Sequence, residues 1–237
     1  MKARGVIFDL DGTLVDNMAL HAQAFAIFVE RHGLPQLTEK DRARLDGKRN
    51  RDIFPDIFGR PLDDAFLRAC TLEKEGLYRE LSKGRLAPVA GLVTLLDALD
   101  GRQVPVAIAT SAPPENVAHS LAELGLERRL TRIMRSDEVA RGKPHPDVFL
   151  AAADLIGVAP ERCLAFEDAP AGILAARAAG MRCVAVTTGF GAAALASHGA
   201  PPDLAVPDYD AFLAVADEWL EATETDLLET LGSYPKM

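Results

Sequence analysis

Short apolar runs that stop abruptly at polar residues recur along this chain, and that alternation leaves few folds open. Val6-Ile7-Phe8 stops at Asp9-Leu10-Asp11-Gly12-Thr13, Val104–Ala109 stops at Thr110-Ser111, and Cys163–Phe166 stops at Glu167-Asp168. Cys183–Val186 is a fourth run, and Ile133-Met134 and Leu204–Val206 are weaker ones. Apolar runs this short read as strands buried on both faces of a parallel sheet. Between them, apolar residues recur at helical spacing over Leu92–Leu99, Asn116–Leu124, Asp147–Ile156 and Ala171–Ala179. Pro113-Pro114 and Pro146 stand at the starts of two of these segments, and Gly125, Gly157 and Gly180 stand past the ends of three. That is the usual helix punctuation. Strands alternating with helices predict an α/β fold, a Rossmann-like parallel sheet with helices on both faces.

Residues 17–86 break the rhythm. They contain no convincing strand, but they show a helical pattern over Met18–Arg31, a stop at Gly33 and Pro35, and more helical material over Asp63–Leu81. The reading is an all-α insert at 17–86 between the first strand and the rest of a core formed by 1–16 and 87–237. Pro88 and Gly91 mark the return to the core. Thr225–Met237 reads as a short helix or a loose tail.

The chain has 237 residues, which suits a core plus a small insert. Its formal net charge of −9 makes it a poor partner for nucleic acid, although an acidic protein can bind an anion where a metal and a few cations converge. Three cysteines without C-x-x-C spacing argue against a disulfide framework or a structural zinc site and read as buried small hydrophobes. The stretch before Asp9 is too short for a signal peptide, and no apolar run reaches membrane-spanning length. The expected setting is cytoplasmic, with no membrane or nucleic-acid partner.

The chemistry-bearing residues stand at the strand ends, where open α/β sheets bind ligands. Asp9 and Asp11 leave the first strand together. One carboxylate can attack phosphorus and the other can move protons, with Gly12 letting the backbone approach the transferred group. An Asx turn alone would also place D-x-D there. Thr110 and Ser111 offer hydroxyls for a phosphoryl oxygen, or simply a helix cap. Lys143, in Arg141-Gly142-Lys143-Pro144-His145-Pro146, can neutralise a phosphoryl group or stand as a loop cation, while His145 reads as a packing residue. Glu167 and Asp168 supply hard oxygens that suit magnesium and can also complement a helix N-terminus. A nucleophile pair, a hydroxyl, a lysine and an acidic pair in this order are not explained by packing.

These motifs resemble the haloacid dehalogenase superfamily of hydrolases over essentially the whole chain. The resemblance implies Asp9 as nucleophile, Asp11 as acid/base, Thr110 and Lys143 as phosphate ligands, and Mg²⁺ held by Asp9, Asp11 (through its backbone carbonyl), Asp168 and Glu167. The insert is similar to the helical cap of the β-phosphoglucomutase-like and sugar-phosphatase branch, where His21 falls at the place of a cap histidine. Around the cap glycine, Leu45-Asp46-Gly47-Lys48-Arg49-Asn50-Arg51 departs from the mutase pattern at Asp46. His21, Gly47, Lys48, Arg49 and Arg51 are the expected cap contacts to substrate. The expected activity is magnesium-dependent hydrolysis of a small phosphorylated metabolite, such as a sugar phosphate, through an aspartyl phosphate, in a monomer or weak dimer. The alternatives are a phosphomutase sharing the same core residues, or a catalytically silent ligand-binding protein.

Overall fold

A computed structural model describes residues 2–221. Six parallel strands form one sheet: β1 (Gly5–Phe8), β2 (Val106–Thr110), β3 (Ile133–Arg135), β4 (Cys163–Glu167), β5 (Arg182–Val186) and β6 (Leu204–Val206). Their spatial order is β3-β2-β1-β4-β5-β6, the order of a Rossmann-like doubly wound sheet. The direction of winding reverses between β1 and β4, where ligands bind in such sheets. Phe8 is in register with Ile108 on β2 and Phe166 on β4, and the Asp9 N–H donates to the Phe166 carbonyl at 2.9 Å. Three chemistry-bearing strand ends therefore lie side by side.

Alternate side chains of the central strands go to opposite faces. Val6 and Phe8 join one core with Phe166, Tyr209 and Phe212, in which the Phe8 and Phe166 rings stack at 5.0 Å. Ile7, Ala107 and Ala165 join the other with Val148, Phe149 and Ile173. The covering helices are α5 (Leu92–Gly101), α6 (Pro114–Leu124), α7 (Asp147–Ile156) and α8 (Pro170–Ala178), with short C-terminal helices α9 (Ala192–Ser197), α10 (Tyr209–Leu213) and α11 (Ala216–Trp219).

Between β1 and α5 run four helices: α1 (Met18–Arg31), α2 (Glu39–Leu45), α3 (Asn50–Phe58) and α4 (Asp64–Ser82). They bury a cluster of their own around Phe28, Phe54, Cys70 and Tyr78. The sequence reading outlined α1 and α4 but not α2 and α3. The first is short and highly charged and is started by a Thr38–Asp41 capping box, and the second contains Pro55. The β2 strand starts later than its apolar run because Pro105, which has no N–H to give, precedes it. Cys70, Cys163 and Cys183 are free and buried, as expected. The C-terminal segment read as helix or tail lies outside the described residues. No helix among the described residues is long and apolar enough to cross a membrane.

Candidate active site

The centre of the site is a buried lysine between two carboxylates. Lys143, in the loop before α7, is 1% exposed; its Nζ donates to Asp9 Oδ1 and Glu167 Oε1, both at 2.5 Å, and to the Ala109 carbonyl at 3.0 Å. An ammonium this buried needs such partners. The Lys143 group is held above its usual pKa: burial opposes the charge, but Asp9 and Glu167 outweigh it.

Each oxygen of Glu167 is engaged. Its second oxygen accepts from the N–H groups of Asp168 at 3.0 Å and Ala169 at 3.2 Å. Gly172 makes room for it, since a Cβ there would lie 1.7 Å from Glu167 Oε1. With both oxygens taken, Glu167 orients Lys143 and the β4–α8 turn.

Asp168 is the opposite case. Its Oδ2 is buried without a hydrogen-bond partner. One oxygen of each of Asp9, Glu167 and Asp168 lies within 4.8 Å of the others. Burial pushes the Asp168 carboxyl well above its usual range, and Glu167, Asp9 and Asp46 push it further. Burial also raises Asp9, which Lys143 only partly offsets. An orphaned oxygen among crowded acids fits a hard divalent cation, which would relieve both the missing partner and the repulsion. Gly12, at φ +79°, allows this approach, because a Cβ there would meet Asp168 Oδ2 at 2.2 Å.

Asp11 turns away from this cluster. Its Oδ1 accepts from Asn17 Nδ2 at 2.6 Å, and His21 Nε2 stands 3.4 Å away, an electrostatic contact rather than a well-formed hydrogen bond. Burial alone would raise the Asp11 carboxyl, but His21 and Asn17 outweigh it and hold it below its usual value. His21 stacks on Tyr78 at 3.8 Å and receives Lys74 Nζ at Nδ1, 2.9 Å away. An ammonium only donates, so Nδ1 is the acceptor and Nε2–H faces Asp11.

A cavity of ≈ 70 Å³ opens above these groups, between the core strand ends and helices α1, α3 and α4. Asp9, Asp11, Thr110, Ser111, Asp168, His21, Gly47 and Lys48 line it. Thr110 Oγ1 accepts from the Ala112 N–H at 3.0 Å, whereas the Ser111 hydroxyl donates to the Gly47 carbonyl at 2.7 Å and so ties the insert to the core. Arg49 and Arg51 do not line the cavity. Arg49 binds Asp52 at 2.7 Å, donates to the Ser136 carbonyl at 3.2 Å and lies over Gly142, while Arg51 is exposed. Asn50, which stands in the same cluster as Lys48, also lines it, as do Lys74, Glu75 and Asn116, which the sequence reading passed over. Lys74 had a legible signal. Cys70, Lys74, Leu77 and Tyr78 fall at i, i+4, i+7 and i+8, so a lysine sits on the buried stripe of α4.

Known proteins resemble the chain over most of its length. Residues 6–186 match the haloacid dehalogenase-like hydrolase family. The chain is 34% identical over 191 residues to validoxylamine A 7'-phosphate phosphatase of Streptomyces hygroscopicus subsp. limoneus, covering 80% of this chain and 88% of that protein. It is 35% identical over 182 residues to fructose-1-phosphate phosphatase YqaB of Escherichia coli, covering 77% and 95%. A hydrolase from Pseudomonas syringae superposes with a TM-score of 0.80 at 28% identity, covering 92% of this chain and 99% of that one. The family match runs from β1 through β5, and the chain belongs to the haloacid dehalogenase-like hydrolase family.

Proposed function

We propose that this protein is a phosphatase that hydrolyses a small phosphomonoester, such as a sugar phosphate, through a phosphoryl group carried on Asp9. The observation that carries the reading is the separation of the two aspartates. Asp9 faces the lysine and the acidic cluster, while Asp11 faces Asn17 and the His21 side of the cavity. The curated relatives named above, a sugar-phosphate phosphatase among them, support the same class.

In this reading Asp9 attacks phosphorus, and the bond from phosphorus to the leaving oxygen breaks. Asp11 gives that oxygen a proton, then takes one from the water that cleaves the phosphoaspartate. Its depressed pKa suits the second step. For the first, the incoming phosphate dianion raises its proton affinity, as a nearby like charge does. Thr110 and Lys143 hold phosphoryl oxygens, and Lys143 keeps the Asp9 carboxylate aimed. Asp9 and Asp168 would hold magnesium, with Glu167 acting through water and Asp11 through its backbone carbonyl, and the ion would offset the repulsion between carboxylate and phosphate.

Residues 17–86 act as a cap over a core of 1–16 and 87–237. Two facing segments join them, with Asp16 N–H donating to the Ala87 carbonyl at 3.2 Å and Val89 N–H to the Leu14 carbonyl at 3.1 Å. Closure excludes water and brings cap groups to the leaving group. Three buried free cysteines suit a reducing cytoplasm, and the chain works as a monomer or weak dimer. Phosphate release from p-nitrophenyl phosphate and from a panel of sugar phosphates, nucleotides and phosphoglycolate, with magnesium and with excess chelator, tests the reading. Magnesium-dependent release is expected, and no release from any compound overturns it.

A further inference from the structure

We propose that the loop after β5, residues 187–190, is an outer wall of the metal centre, in which Thr188 and Gly189 position water carried by a divalent cation beside Asp168. This rests on the reading of the acidic cluster as a divalent metal site and goes beyond it. Of the clear apolar runs, that of β5 is the one whose polar stop, Thr187-Thr188-Gly189, the chemistry above leaves unused. In the sheet β5 lies beside β4, with Ala185 level with Glu167, so the end of β5 opens next to Asp168. Thr187 turns toward the edge of the sheet, where its N–H and its hydroxyl donate to the Val206 carbonyl at 2.9 and 3.3 Å. Thr188 turns the other way, and its hydroxyl donates to the Gly12 carbonyl at 2.5 Å, from the β5 loop to the β1 loop across the end of β4.

Gly189 is the second part of the wall. It is not among the glycines with positive φ, so the backbone does not call for glycine there. Asp168 does: a Cβ on Gly189 would stand 3.1 Å from Asp168 Oδ2, inside ordinary van der Waals contact, and 3.7 Å from Met18 Cγ. A Cβ on Gly12 would meet the same oxygen and lie 2.9 Å from the same Met18 atom. Two glycines and Met18 therefore border the orphaned oxygen of Asp168. Gly189 is exposed and Asp168 is buried, so an exposed residue without a side chain stands against a buried oxygen without a partner. Gly12, Thr188 and Gly189 do not line the substrate cavity, which makes this a separate side of the acidic cluster.

The chemistry of the wall suits water on a hard cation. Magnesium has octahedral coordination and usually keeps several waters, and such waters donate strongly and need acceptors. A threonine hydroxyl has one proton and two lone pairs. Thr188 has given its proton to the Gly12 carbonyl, which leaves its oxygen as an acceptor. Gly189 leaves the space beside Asp168 Oδ2 that a side chain would fill. Groups that hold a metal's ligands from outside typically change its affinity by about ten- to a hundred-fold.

The test uses magnesium alone as the probe, with its Kd read from the rise in Tm as magnesium is added without substrate. Thr188→Val keeps the shape of the side chain and removes the hydroxyl, and is expected to weaken the Kd roughly ten- to a hundred-fold. Gly189→Val fills the space beside Asp168 Oδ2 and is expected to weaken it on the same scale. Thr188→Ser keeps the hydroxyl and is expected to keep the wild-type Kd. The metal-free Tm of each variant is measured in parallel. A wild-type Kd in either valine variant, whether or not its metal-free Tm falls, would make the loop a structural clamp and overturn the wall, while leaving the phosphatase reading in place. An equal loss in Thr188→Ser and Thr188→Val would take the hydroxyl out of the account and overturn it as well. A wild-type Tm that magnesium does not raise would overturn both the wall and the metal site on which it rests.

Discussion

Asp9 and Asp11 leave the same strand two residues apart, yet their carboxylates are held by different halves of the site, Asp9 by Lys143 Nζ at 2.5 Å and Asp11 by Asn17 Nδ2 at 2.6 Å. Gly12, at φ +79°, turns the backbone between Asp11 and Asn17, and its N–H donates to Asn17 Oδ1 at 3.0 Å. Identical side chains thereby acquire opposite shifts, with Asp9 raised by burial and Asp11 lowered against burial by His21 and Asn17. Two carboxylates whose environments push them apart can divide nucleophilic and proton-transfer work.

The crowding of Asp9, Glu167 and Asp168 predicts a metal-dependent stability. The raised Asp168 pKa means that, without metal, stability is lost as pH rises from the unfolded value toward the folded one, so at neutral pH the charge is destabilising. Magnesium should raise the Tm of wild type by several degrees at saturating concentration. Asp168→Asn should raise the metal-free Tm by a few degrees and abolish the magnesium shift, read by calorimetry with and without chelator. A full magnesium shift in Asp168→Asn would place the ion elsewhere.

Two glycines should respond in opposite directions. A Cβ on Gly172 would sit 1.7 Å from Glu167 Oε1 and 2.4 Å from Oε2, so Gly172→Ala must displace the carboxylate that holds Lys143. A loss of about 2–4 kcal/mol in stability and a large loss of turnover are expected, as for other disrupted buried networks. Gly76 lies inside α4 with nothing within 4 Å of its added Cβ, and Gly76→Ala should gain roughly 0.5–1 kcal/mol. Urea unfolding of both variants checks the pair.

Glu75 predicts a pH window. Its carboxyl is held below the usual value, so its contribution to stability is fully present above the unfolded value near 4.5 and is lost as pH falls through the lower folded value. Wild type should exceed Glu75→Gln in stability at pH 7 by about 1–3 kcal/mol, the cost of leaving buried partners of a charge unsatisfied. The gap should narrow below about pH 4.5. A gap independent of pH would mean that the charge of Glu75 is not what the network uses.

Arg49 and Arg51 carry different weights although they stand two apart in one basic cluster. Arg49 spans from the insert to the Ser136 carbonyl and lies over Gly142, whereas Arg51 is exposed and off the cavity. Arg49→Ala should lower kcat/KM about tenfold on large and small substrates alike, on the scale of one charged hydrogen bond that holds the cap shut. Arg51→Ala should change it less than twofold. A loss confined to one substrate would make Arg49 a substrate contact instead.

The core residues were legible because each stands where an apolar run stops, a position that packing does not explain. Asp9, Asp11, Thr110, Glu167 and Asp168 were found that way, Lys143 was found from the prolines around it, and the register of Phe8 with Ile108 and Phe166 brings three of the strand ends side by side. The division of labour among them was not legible. That Glu167 is held by Lys143 and two N–H groups while Asp168 keeps an orphaned oxygen depends on a turn geometry that composition does not encode. The insert's substrate contacts were read from His21, Gly47 and the polar cluster Lys48, Arg49, Asn50 and Arg51. The charges that do line the cavity include Lys74 and Glu75, hidden within a long helix whose buried stripe they interrupt.

The central claim is that Asp9 carries the phosphoryl group. Asp9 is 6% exposed and paired with Lys143, and asparagine keeps its shape and an oxygen for that lysine while removing the nucleophilic charge. Phosphate release by Asp9→Asn, at saturating magnesium and with the fold checked by circular dichroism, is predicted to fall below about a hundredth of wild type, because losing a covalent nucleophile costs several kcal/mol of transition-state stabilisation. A folded Asp9→Asn enzyme that retains more than that would contradict the account.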